Sequence, residues 1–563
     1  MQKQEKSEKR FKDNRKNHKL VFTAIAIALV LWSGFWLTSN ARNFSITSDE
    51  VVYLPVGIRF IERGDNLMNN EHPPIFKVIS AIPAVFLPHN IDKAINEDNG
   101  NQWKFGFTFW FSSGNDVQNL LFAGRAPTII LTLLMLLSVW LFVRRWLGEW
   151  AGLGALASLV FNPNILAHGG LIANDIYLAA AAWFLFVSTF YFIRNANWKT
   201  ALWFGAAIFF AALSKYTGLI FVGLSGLTVI SCFVFAKKKL THPIMMISMA
   251  LFTSFVLTWS IFVFVERREV FSNQPVTLGL SSDYEKEVSS PIKKSVLLPY
   301  ARIREGIVAT SGHNKIGHRA YLNGEISHFG WRSYFLWVLW YKTPTVILLF
   351  ALFGVFFAIR KKNWALLFLL FASIISLAVA SVGHIQTGVR YILFIYLALA
   401  PFVGLALQEI IGPKKNKIFI PILAVIGLML AGDIAAGGMS SIGYFSYLSG
   451  GWQNGYKHLA DSNLDWGEEF YLLENYVGKN HPKNLIVGIS SGETLKDVGI
   501  ESRSISDFSC GSFPADSTVI ASRNFVTGFF GPYSCLLKPL ESGKAKVLGR
   551  TYLIIDGRDL ADQ

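Results

Sequence analysis

The sequence predicts a polytopic α-helical membrane protein with about eleven transmembrane helices, followed by a small extracytoplasmic α/β domain at the C-terminus. Hydrophobic residues make up 52% of the 563 residues, charged residues only 16%, and the mean hydropathy is +0.39. Apolar runs of about twenty residues recur along the chain, and each is long enough to cross a hydrocarbon core of about 30 Å. Short basic segments separate these runs and indicate their orientation.

The formal net charge of +15 comes from clusters of basic residues rather than from an even spread. Cytoplasmic loops of membrane proteins are rich in Lys and Arg, so clusters between apolar runs report topology. This distribution argues against a nucleic-acid partner and places the N-terminus in the cytoplasm. The clusters are Lys3–Lys19, Arg144-Arg145, Arg194–Lys199, Lys237–Lys239, Arg360–Lys362 and Lys414–Lys417.

The first apolar run, Leu20–Ser39, lacks a small-residue cleavage site and is predicted to be a retained anchor. It follows a basic head, residues 1–19, which we expect to be cytoplasmic and disordered. Residues 40–120 would then form a long outer loop. Within this loop Ile75–Leu87 is apolar but too short to span, so it predicts a helix at the membrane interface.

Ten further spans complete the predicted membrane domain, residues 20–436. Two of them are short spans within residues 200–236, hinged at residues 214–218. Residues 266–332 form a second long outer segment. The other spans are Ala123–Val143, Glu149–Ala167, Asp175–Arg194, Pro243–Val265, Tyr334–Ala358, a span that ends near Val382, Tyr391–Leu407 and Ile418–Ala436.

The tail, residues 437–563, has a different composition and predicts the extracytoplasmic domain. Short β-rich apolar runs alternate there with polar turns that contain Gly and Pro, and Leu472–Val477 is expected to be helical. Cys510 and Cys535 fall in this part and could pair as a disulfide in an oxidising compartment. The β-rich runs are Leu485–Ile489, Val519–Ala521 and Tyr552–Ile555.

An acidic pair, Asp49-Glu50, directly follows the first span and is therefore expected at the membrane surface. A carboxylate there can act as a general base on a hydroxyl of a substrate that arrives in the lipid. The run Glu71–Pro74 comes next, and its two prolines restrict the backbone. We interpret Asp49 and Glu50 as candidate catalytic residues, and Glu71 and His72 as residues that contact the acceptor or shape the site. The alternative is an acidic surface loop.

Four cations at the ends of apolar runs form a second candidate group, because ionisable residues near membrane depth are costly and often functional. All four are expected on the outer side, where they could hold a phosphate, with Arg offering bidentate hydrogen bonds. His168 and Asp175 lie at the same level and are candidates for shaping the site. The alternatives are a snorkelling anchor for each Arg and a packing role for each His. The four cations are Lys77, Arg125, Lys215 and Arg390.

Several of these runs resemble one family of membrane enzymes. Asp49-Glu50, Glu71–Lys77 and Gly124-Arg125 resemble the dolichyl-phosphate-mannose–protein mannosyltransferase family. More widely they resemble the GT-C type membrane glycosyltransferases that use lipid-phosphate sugars, which include the aminoarabinose transferases of lipid A. The resemblance extends over about residues 45 to 470. Further runs are similar to bacterial relatives, namely His168–Asp175, His318–Glu325, Gly330–Pro344, Gly388–Tyr391 and Asn454–Gly467.

The resemblance implies inverting sugar transfer with Asp49 as the general base, Glu50 beside it, and Arg125 in contact with the donor phosphate. The phosphate roles of Lys77, Lys215 and Arg390 rest instead on charge and depth. The family's eukaryotic mannosyltransferases carry a β-trefoil-type domain in an outer loop, for which residues 266–332 are too short. The tail would then take over recognition of the acceptor.

We therefore expect an enzyme that transfers one sugar from a polyprenyl-phosphate donor to an acceptor hydroxyl on the outer side of a bacterial cytoplasmic (inner) membrane. Protein and glycolipid acceptors both remain open. A transporter or flippase of lipid-linked sugars is the alternative, although the inverted repeats typical of transporters are not visible. No cofactor or metal is predicted, because there is no Gly-rich nucleotide loop and His313 and His318 lack metal-binding spacing.

Overall fold

The computed structural model describes residues 2–66, 68–235, 241–279, 285–411, 427–430, 432–433 and 442–561. Within these ranges, six helices are long and apolar enough to cross a membrane, and a bent pair of helices would make a seventh. By length and composition they make the chain a multi-pass membrane protein. The six are Lys19–Asn43, Val117–Leu147, Asn174–Arg194, His242–Val265, Trp364–Val382 and Val389–Ile411.

The predicted count of about eleven spans is not reached in the described part of the chain. The predicted third span is interrupted at Phe161-Asn162, because Asn162 caps a new helix that begins with Pro163. The two predicted short spans of residues 200–236 are helices near the lower length limit for crossing a bilayer. The predicted last span, Ile418–Ala436, lies largely outside the described residues, as do the basic clusters Lys237–Lys239 and Lys414–Lys417.

The N-terminal region is helical from its start. Helix α1 (Gln2–Asn43) includes the basic head that the sequence predicted to be disordered. The head consists mainly of Lys, Glu, Arg and Gln, which are good helix formers, so it can continue the helix of the first span.

The predicted first loop, residues 40–120, is a compact helical segment. Most of α3 is buried against α2 and α6. Gly57 of α2 allows the backbones of α2 and α3 to approach closely. A Cβ atom at Gly57 would lie 2.3 Å from the carbonyl oxygen of Lys77. The segment contains α2 (Glu50–Arg63), α3 (Ile75–Ala84), α4 (Asp92–Glu97), α5 (Gln102–Phe107) and a π-helix (Thr108–Ser112).

The apolar helices pack into a bundle in which α18 contacts α7, α9 and α16, and α10 contacts α9 and α12. Pro163 begins the short α8 and thereby directs the chain back toward α9. The members are α6 (Val117–Leu147), α7 (Glu149–Val160), α8 (Pro163–His168), α9 (Asn174–Arg194), α10 (Trp198–Ser214), α11 (Gly218–Phe235), α12 (Thr241–Val265), α15 (Tyr334–Lys342), α16 (Thr345–Arg360), α17 (Trp364–Val382) and α18 (Leu393–Ile411).

The predicted span Tyr334–Ala358 is two helices, α15 and α16, which are bent by 115°. The break falls at Thr343-Pro344, where both residues have extended backbone conformations. Pro344 has no N–H for a helical hydrogen bond and disfavours helical conformation in the residue before it. The predicted span is therefore not one straight helix, although by length and composition the bent pair can still count as one span.

The described residues between 266 and 332 form a second folded connection rather than an open loop. Helix α13 (Arg267–Val270) follows α12, and the long α14 (Pro291–Ile316) packs against both of them. Two small antiparallel hairpins flank α14. Their strands are β1 (Val276–Gly279) with β2 (Glu285–Val288), and β3 (Ala320–Leu322) with β4 (Glu325–Ser327).

The described part of the tail contains a five-stranded mixed sheet in the order β6-β5-β7-β9-β8. The helix Phe470–Asn480 packs its buried residues against one face, and Cys510 forms a disulfide with Cys535. The three predicted strands are the central ones of the sheet. The strands are β5 (Leu485–Gly488), β6 (Arg503–Ser504), β7 (Thr518–Ser522), β8 (Lys546–Leu548) and β9 (Tyr552–Asp556).

Candidate active site

The segment between α1 and α2 positions the predicted acidic pair. Asp49 is the N-cap of α2 and Glu50 is its first residue, so their side chains point in different directions. The side chain of Asp49 is 24% exposed, whereas that of Glu50 is 0% exposed. The two neighbours consequently belong to two separate ion-pair groups.

Glu50 forms a buried ion pair with Arg125 of α6. Arg125 Nε and Nη2 donate to the two carboxylate oxygens over 2.8 and 2.5 Å. Glu50 also accepts hydrogen bonds from the backbone N–H groups of Thr47 and Ile172. Burial alone would raise the pKa of Glu50, but the Arg125 charge and these hydrogen bonds lower it below its ordinary value. Glu50 is thus a charged residue of the protein interior and does not line the cavity described below.

Arg125 has no N–H left for a ligand. Its other N–H groups donate to the backbone carbonyls of Ala41, Phe44 and Ser45, in the segment that joins α1 to α2. All five donors of the guanidinium are therefore engaged, and the side chain is 0% exposed. The predicted contact between Arg125 and a donor phosphate does not fit this geometry. Arg125 instead fixes the backbone that carries Asp49.

Lys77 is saturated in the same way. Its Nζ donates to the carbonyl oxygen of Asn69 over 2.9 Å, to Asn69 Oδ1 over 3.0 Å and to the carbonyl oxygen of His72 over 3.0 Å. An ammonium has three donors, and the residue is 0% exposed. The predicted phosphate role of Lys77 therefore does not fit either, because the side chain holds the turn of the Glu71–Pro74 run in place.

A cavity of about 700 Å³ lies beside these buried groups. It brings together five of the predicted site residues, from the α1–α2 segment, the Glu71–Pro74 run, the α10–α11 connection and the start of the α18 region. Residues of α14 and of the tail close other parts of the wall, including His313, Asn314 and Asp461. The five are Asp49, Glu71, His72, Lys215 and Arg390.

Asp49, Lys215 and Arg390 line this cavity, and the buried Asp175 pairs with both cations; we call these four residues the cavity charge cluster. Arg390 Nη1 donates to Asp49 Oδ2 over 2.7 Å, and Lys215 Nζ donates to Asp175 Oδ1 over 2.7 Å. Arg390 Nη1 also lies 3.8 Å from Asp175 Oδ2. Among the described residues, Lys215 donates this one hydrogen bond and Arg390 Nε donates none, so both cations retain N–H groups for a ligand.

The two predicted histidines have different surroundings. His72 lines the cavity, and its Nδ1 lies 3.2 Å from Asn174 Nδ2. Burial, together with the charges of Lys215, Lys77 and Arg390, lowers the pKa of His72 well below its ordinary value, so this ring is neutral at pH 7. His168 is buried behind the cavity wall, with its ring centroid 6.0 Å from that of Trp466.

A turn of the tail, residues 461–467, belongs to the site although no role was predicted for its side chains. Asp461, Asp465 and Trp466 line the cavity. The Arg390 guanidinium lies 4.2 Å from the centroid of the Trp466 ring, and the N–H of Ser48 donates to the Trp466 carbonyl over 3.1 Å. The Asn454–Gly467 run carried part of the family resemblance, and this was the sequence signal that could have found these residues.

The described residues contain no group of three or more His, Cys, Asp or Glu side chains placed to hold a metal ion. His313 and His318 approach each other, with Nε2 of one 3.4 Å from Nδ1 of the other, and both line the cavity. Asp433, in the predicted span Ile418–Ala436, accepts hydrogen bonds from the backbone N–H groups of Thr345 and Tyr447.

Residues 111–262 match the sequence model of a family described as dolichyl-phosphate-mannose-protein mannosyltransferase. The matched segment runs from the π-helix to the end of α12 and includes Arg125, Asp175 and Lys215. The match confirms the family resemblance predicted from the motifs, and it indicates the predicted enzyme class, a glycosyltransferase. No curated protein matches the chain.

The chain is also similar to several solved structures. ArnT from Cupriavidus metallidurans, bound to undecaprenyl phosphate, is 12% identical with a TM-score of 0.47, over 96% of this chain and 98% of that chain. The S. cerevisiae protein O-mannosyltransferase Pmt1-Pmt2 complex, bound to its sugar donor, is 17% identical with a TM-score of 0.35. This second similarity covers 48% of this chain and 43% of that chain. The Archaeoglobus fulgidus oligosaccharyltransferase is 14% identical with a TM-score of 0.39, over 72% of this chain and 51% of that chain.

Proposed function

We propose that this protein is a membrane glycosyltransferase that moves one sugar from a polyprenyl-phosphate donor to an acceptor hydroxyl, with inversion at the anomeric carbon. The observation that carries the proposal is the cavity charge cluster. It presents a partly exposed carboxylate, Asp49, beside two cations, Lys215 and Arg390, that retain free N–H groups. The family match of residues 111–262 supports a lipid-phosphate sugar as the donor.

The donor phosphate would bind to Lys215 and Arg390. Arg offers two parallel N–H groups that suit two phosphate oxygens, and Lys adds a point charge. The flat face of the Arg390 guanidinium lies against the Trp466 ring, which restricts its orientation. Arg390 also holds Asp49 in the free protein. A phosphate that binds to Arg390 would compete with this contact and leave the Asp49 carboxylate free to contact the acceptor hydroxyl.

In the proposed step, the acceptor oxygen forms a bond to the anomeric carbon while the bond from that carbon to the phosphate oxygen breaks. The proton of the acceptor hydroxyl passes to the Asp49 carboxylate. Polyprenyl phosphate leaves as an anion that Lys215 and Arg390 stabilise. Attack on the face opposite the phosphate inverts the anomeric configuration.

The cavity would open on the extracytoplasmic side of the bacterial inner membrane. Basic residues end α6, α9 and α16, at Arg144-Arg145, Arg194 and Arg360, which supports a cytoplasmic location for those helix ends. The cavity charge cluster, which includes Lys215, lies at helix ends that do not carry these basic residues. The disulfide between Cys510 and Cys535 supports an oxidising compartment for the tail. The acceptor, a protein or a glycolipid, would enter from this side.

The test is turnover of polyprenyl-phosphate mannose, glucose and aminoarabinose by the purified wild type and by Asp49→Asn. We expect the variant to lose about 100-fold or more in kcat, as general bases commonly contribute, while it still binds the donor. Glu50→Gln is not a suitable control, because Glu50 is part of the protein interior. Asp92→Asn changes an exposed carboxylate at the start of α4 and should leave kcat unchanged.

Equal turnover by the wild type and Asp49→Asn would contradict the role of Asp49 as base. Binding of the donor lipids without turnover of any of them, together with their movement across a vesicle membrane, would instead favour the transporter alternative. Such a transporter would still need Lys215 and Arg390 to hold the phosphate, but not a base.

A further inference from the structure

The turn of residues 461–467, which we call the cavity turn, is a rigid part of the cavity wall. Its hydrogen bonds join it to both sides of the cavity charge cluster. On one side the N–H of Ser48, next to Asp49, donates to the Trp466 carbonyl. On the other side Ser462 Oγ donates to the Thr387 carbonyl over 2.6 Å, and the N–H of Val389 donates to Asn463 Oδ1 over 3.1 Å.

Asp461 begins this turn in a conformation that an L-residue adopts only under constraint. Its φ is 58°, in the left-handed region, where Asp and Asn are tolerated better than most side chains. The backbone N–H of Asp461 donates to Asn524 Oδ1 over 2.8 Å, and Asn524 is fully buried. Such constrained residues cluster at functional sites. The tail thus holds the Asp461 carboxylate at one place on the cavity wall.

The Asp461 carboxylate differs from that of Asp465 in the same turn. Asp465 accepts hydrogen bonds from Ser490 Oγ, Ser522 Oγ and the N–H of Gly467, so its oxygens are occupied by the protein. Among the described residues no side chain donates a hydrogen bond to the Asp461 carboxylate. Asp461 therefore has acceptor capacity left and lines the cavity.

Asp461 also lies near the place where a donor sugar would sit. It lines the same cavity as Arg390 and Asp49, and Trp466 of the same turn lies 4.2 Å from the Arg390 guanidinium. A single oxygen joins the sugar ring of a phosphate-linked donor to its phosphate. A donor whose phosphate replaces Asp49 on Arg390 must therefore place its sugar ring in this part of the cavity.

We propose that Asp461 binds hydroxyl groups of the donor sugar and thereby selects the sugar that the enzyme transfers. This inference rests on the proposed function and adds a sugar subsite to it. A hydrogen bond from a hydroxyl to a charged carboxylate is stronger than one between two neutral groups. It therefore discriminates sharply between a sugar that has the hydroxyl and a sugar that lacks it. The tail would then contribute to donor recognition as well as to recognition of the acceptor.

The experiment compares the binding of polyprenyl phosphate alone with that of polyprenyl phosphate carrying mannose, glucose or aminoarabinose. Equilibrium dissociation constants are measured for the full-length wild type and for Asp461→Asn in detergent. The wild type should bind one sugar-bearing lipid more tightly than the bare lipid. Asp461→Asn should reduce this preference about ten-fold or more, because hydrogen bonds to a charged group are worth about 1.5–3 kcal/mol. Removal of the Asp461 charge should tighten the binding of every phosphate lipid to a similar degree, so the ratio of the affinities is the quantity to compare.

The variant should fold, because Asn tolerates the left-handed conformation as well as Asp does. Asp556→Asn is the control in the tail, because it changes an exposed carboxylate that pairs with Arg558 and does not line the cavity. It should leave the ratio of the two affinities unchanged. An unchanged ratio in Asp461→Asn, or a wild type without any preference for a sugar-bearing lipid, would overturn the sugar subsite. If the wild type bound neither kind of lipid, the proposed function itself would fail.

Discussion

Two ion-pair groups start from adjacent residues and serve different purposes. In the buried pair of Glu50 and Arg125 both side chains are 0% exposed, and every N–H of the arginine is engaged. In the cavity charge cluster the side chains of Asp49 and Arg390 are 24% and 12% exposed, and Arg390 Nε is free of a partner in the described structure. The two ion-pair groups contain the same types of residue, acidic and basic. They differ in how many hydrogen-bonding groups have no protein partner.

This comparison shows that two adjacent acidic residues, each paired with an arginine, need not share one function. A saturated buried pair contributes rigidity, and the loss of one partner leaves an uncompensated charge in the interior. An unsaturated pair at a cavity wall can exchange its partner for a ligand. Glu50 and Arg125 thus hold the α1–α2 segment in place, and Asp49 at the end of that segment lines the cavity.

The largest expected effect concerns the buried pair. Arg125→Met should destabilise the protein by about 3–5 kcal/mol, because it leaves the Glu50 carboxylate buried without its counter-charge. The measurement is thermal unfolding in detergent, in which the fraction of protein that stays monodisperse is recorded at each temperature. In the double variant Glu50→Leu/Arg125→Met, part of the stability should return. Wild-type stability in Arg125→Met would contradict the distinction between the two groups.

The second expected effect concerns the cavity charge cluster. Arg390→Gln should weaken the binding of polyprenyl phosphate about 10- to 100-fold, since it removes charge-assisted hydrogen bonds to the phosphate. Lys215→Gln should act in the same direction. Binding is measured for both variants beside Lys361→Gln, which changes an exposed lysine paired with Glu409 on the surface. Lipid binding that survives in both cavity variants would place the phosphate elsewhere.

The third expectation is a pH dependence of donor binding. Burial, offset in part by the Arg390 charge, raises the pKa of Asp461 to about 6, and the charges of Asp49 and Asp465 add to the increase. The ionised carboxylate is the form proposed to bind sugar hydroxyls, so the preference for a sugar-bearing lipid should fall as the pH falls through 6. The preference measured between pH 5 and 7.5 should be flat in Asp461→Asn. A parallel decline in the variant would assign the effect to another group.

The smallest expected effect tests a single bond of the buried pair. Thr47 Oγ1 donates to Glu50 Oε2 over 2.9 Å. Thr47→Val preserves the shape of the side chain but removes this hydrogen bond, which should cost about 1 kcal/mol of stability. Thermal unfolding measures the loss. The affinity for polyprenyl phosphate should remain at the wild-type value, and a clear loss of affinity would show that the two groups are coupled.

The helices were largely predictable from the sequence, because the thickness of the hydrocarbon core imposes long apolar runs. Most predicted spans lie in helices of the structure within a few residues. The exceptions are local features that a hydropathy pattern does not detect. Pro344 divides one apolar run into two helices bent by 115°, and Asn162 caps a new helix within another.

The site was predictable only as a set of candidate residues. Depth and charge selected Lys77, Arg125, Lys215 and Arg390 together, but could not show which of them retain free donors. That outcome depends on backbone carbonyls, such as those of Ala41 and Asn69, whose positions are set by tertiary contacts. The contribution of Asp461 was beyond reach for a similar reason, because it requires the tail to fold back onto the first loop.

The contact between Ser48 and Trp466 joins residues that are 418 positions apart in the chain. Domains of a growing chain generally fold in order from the N-terminus. The first helices can therefore enter the membrane long before the cavity turn has been translated. Until then Arg390 lacks the ring against which it lies, and Ser48 lacks its backbone partner. We expect a nascent chain that ends before residue 461 to be inserted but inactive, so that the enzyme matures only when its synthesis is almost complete.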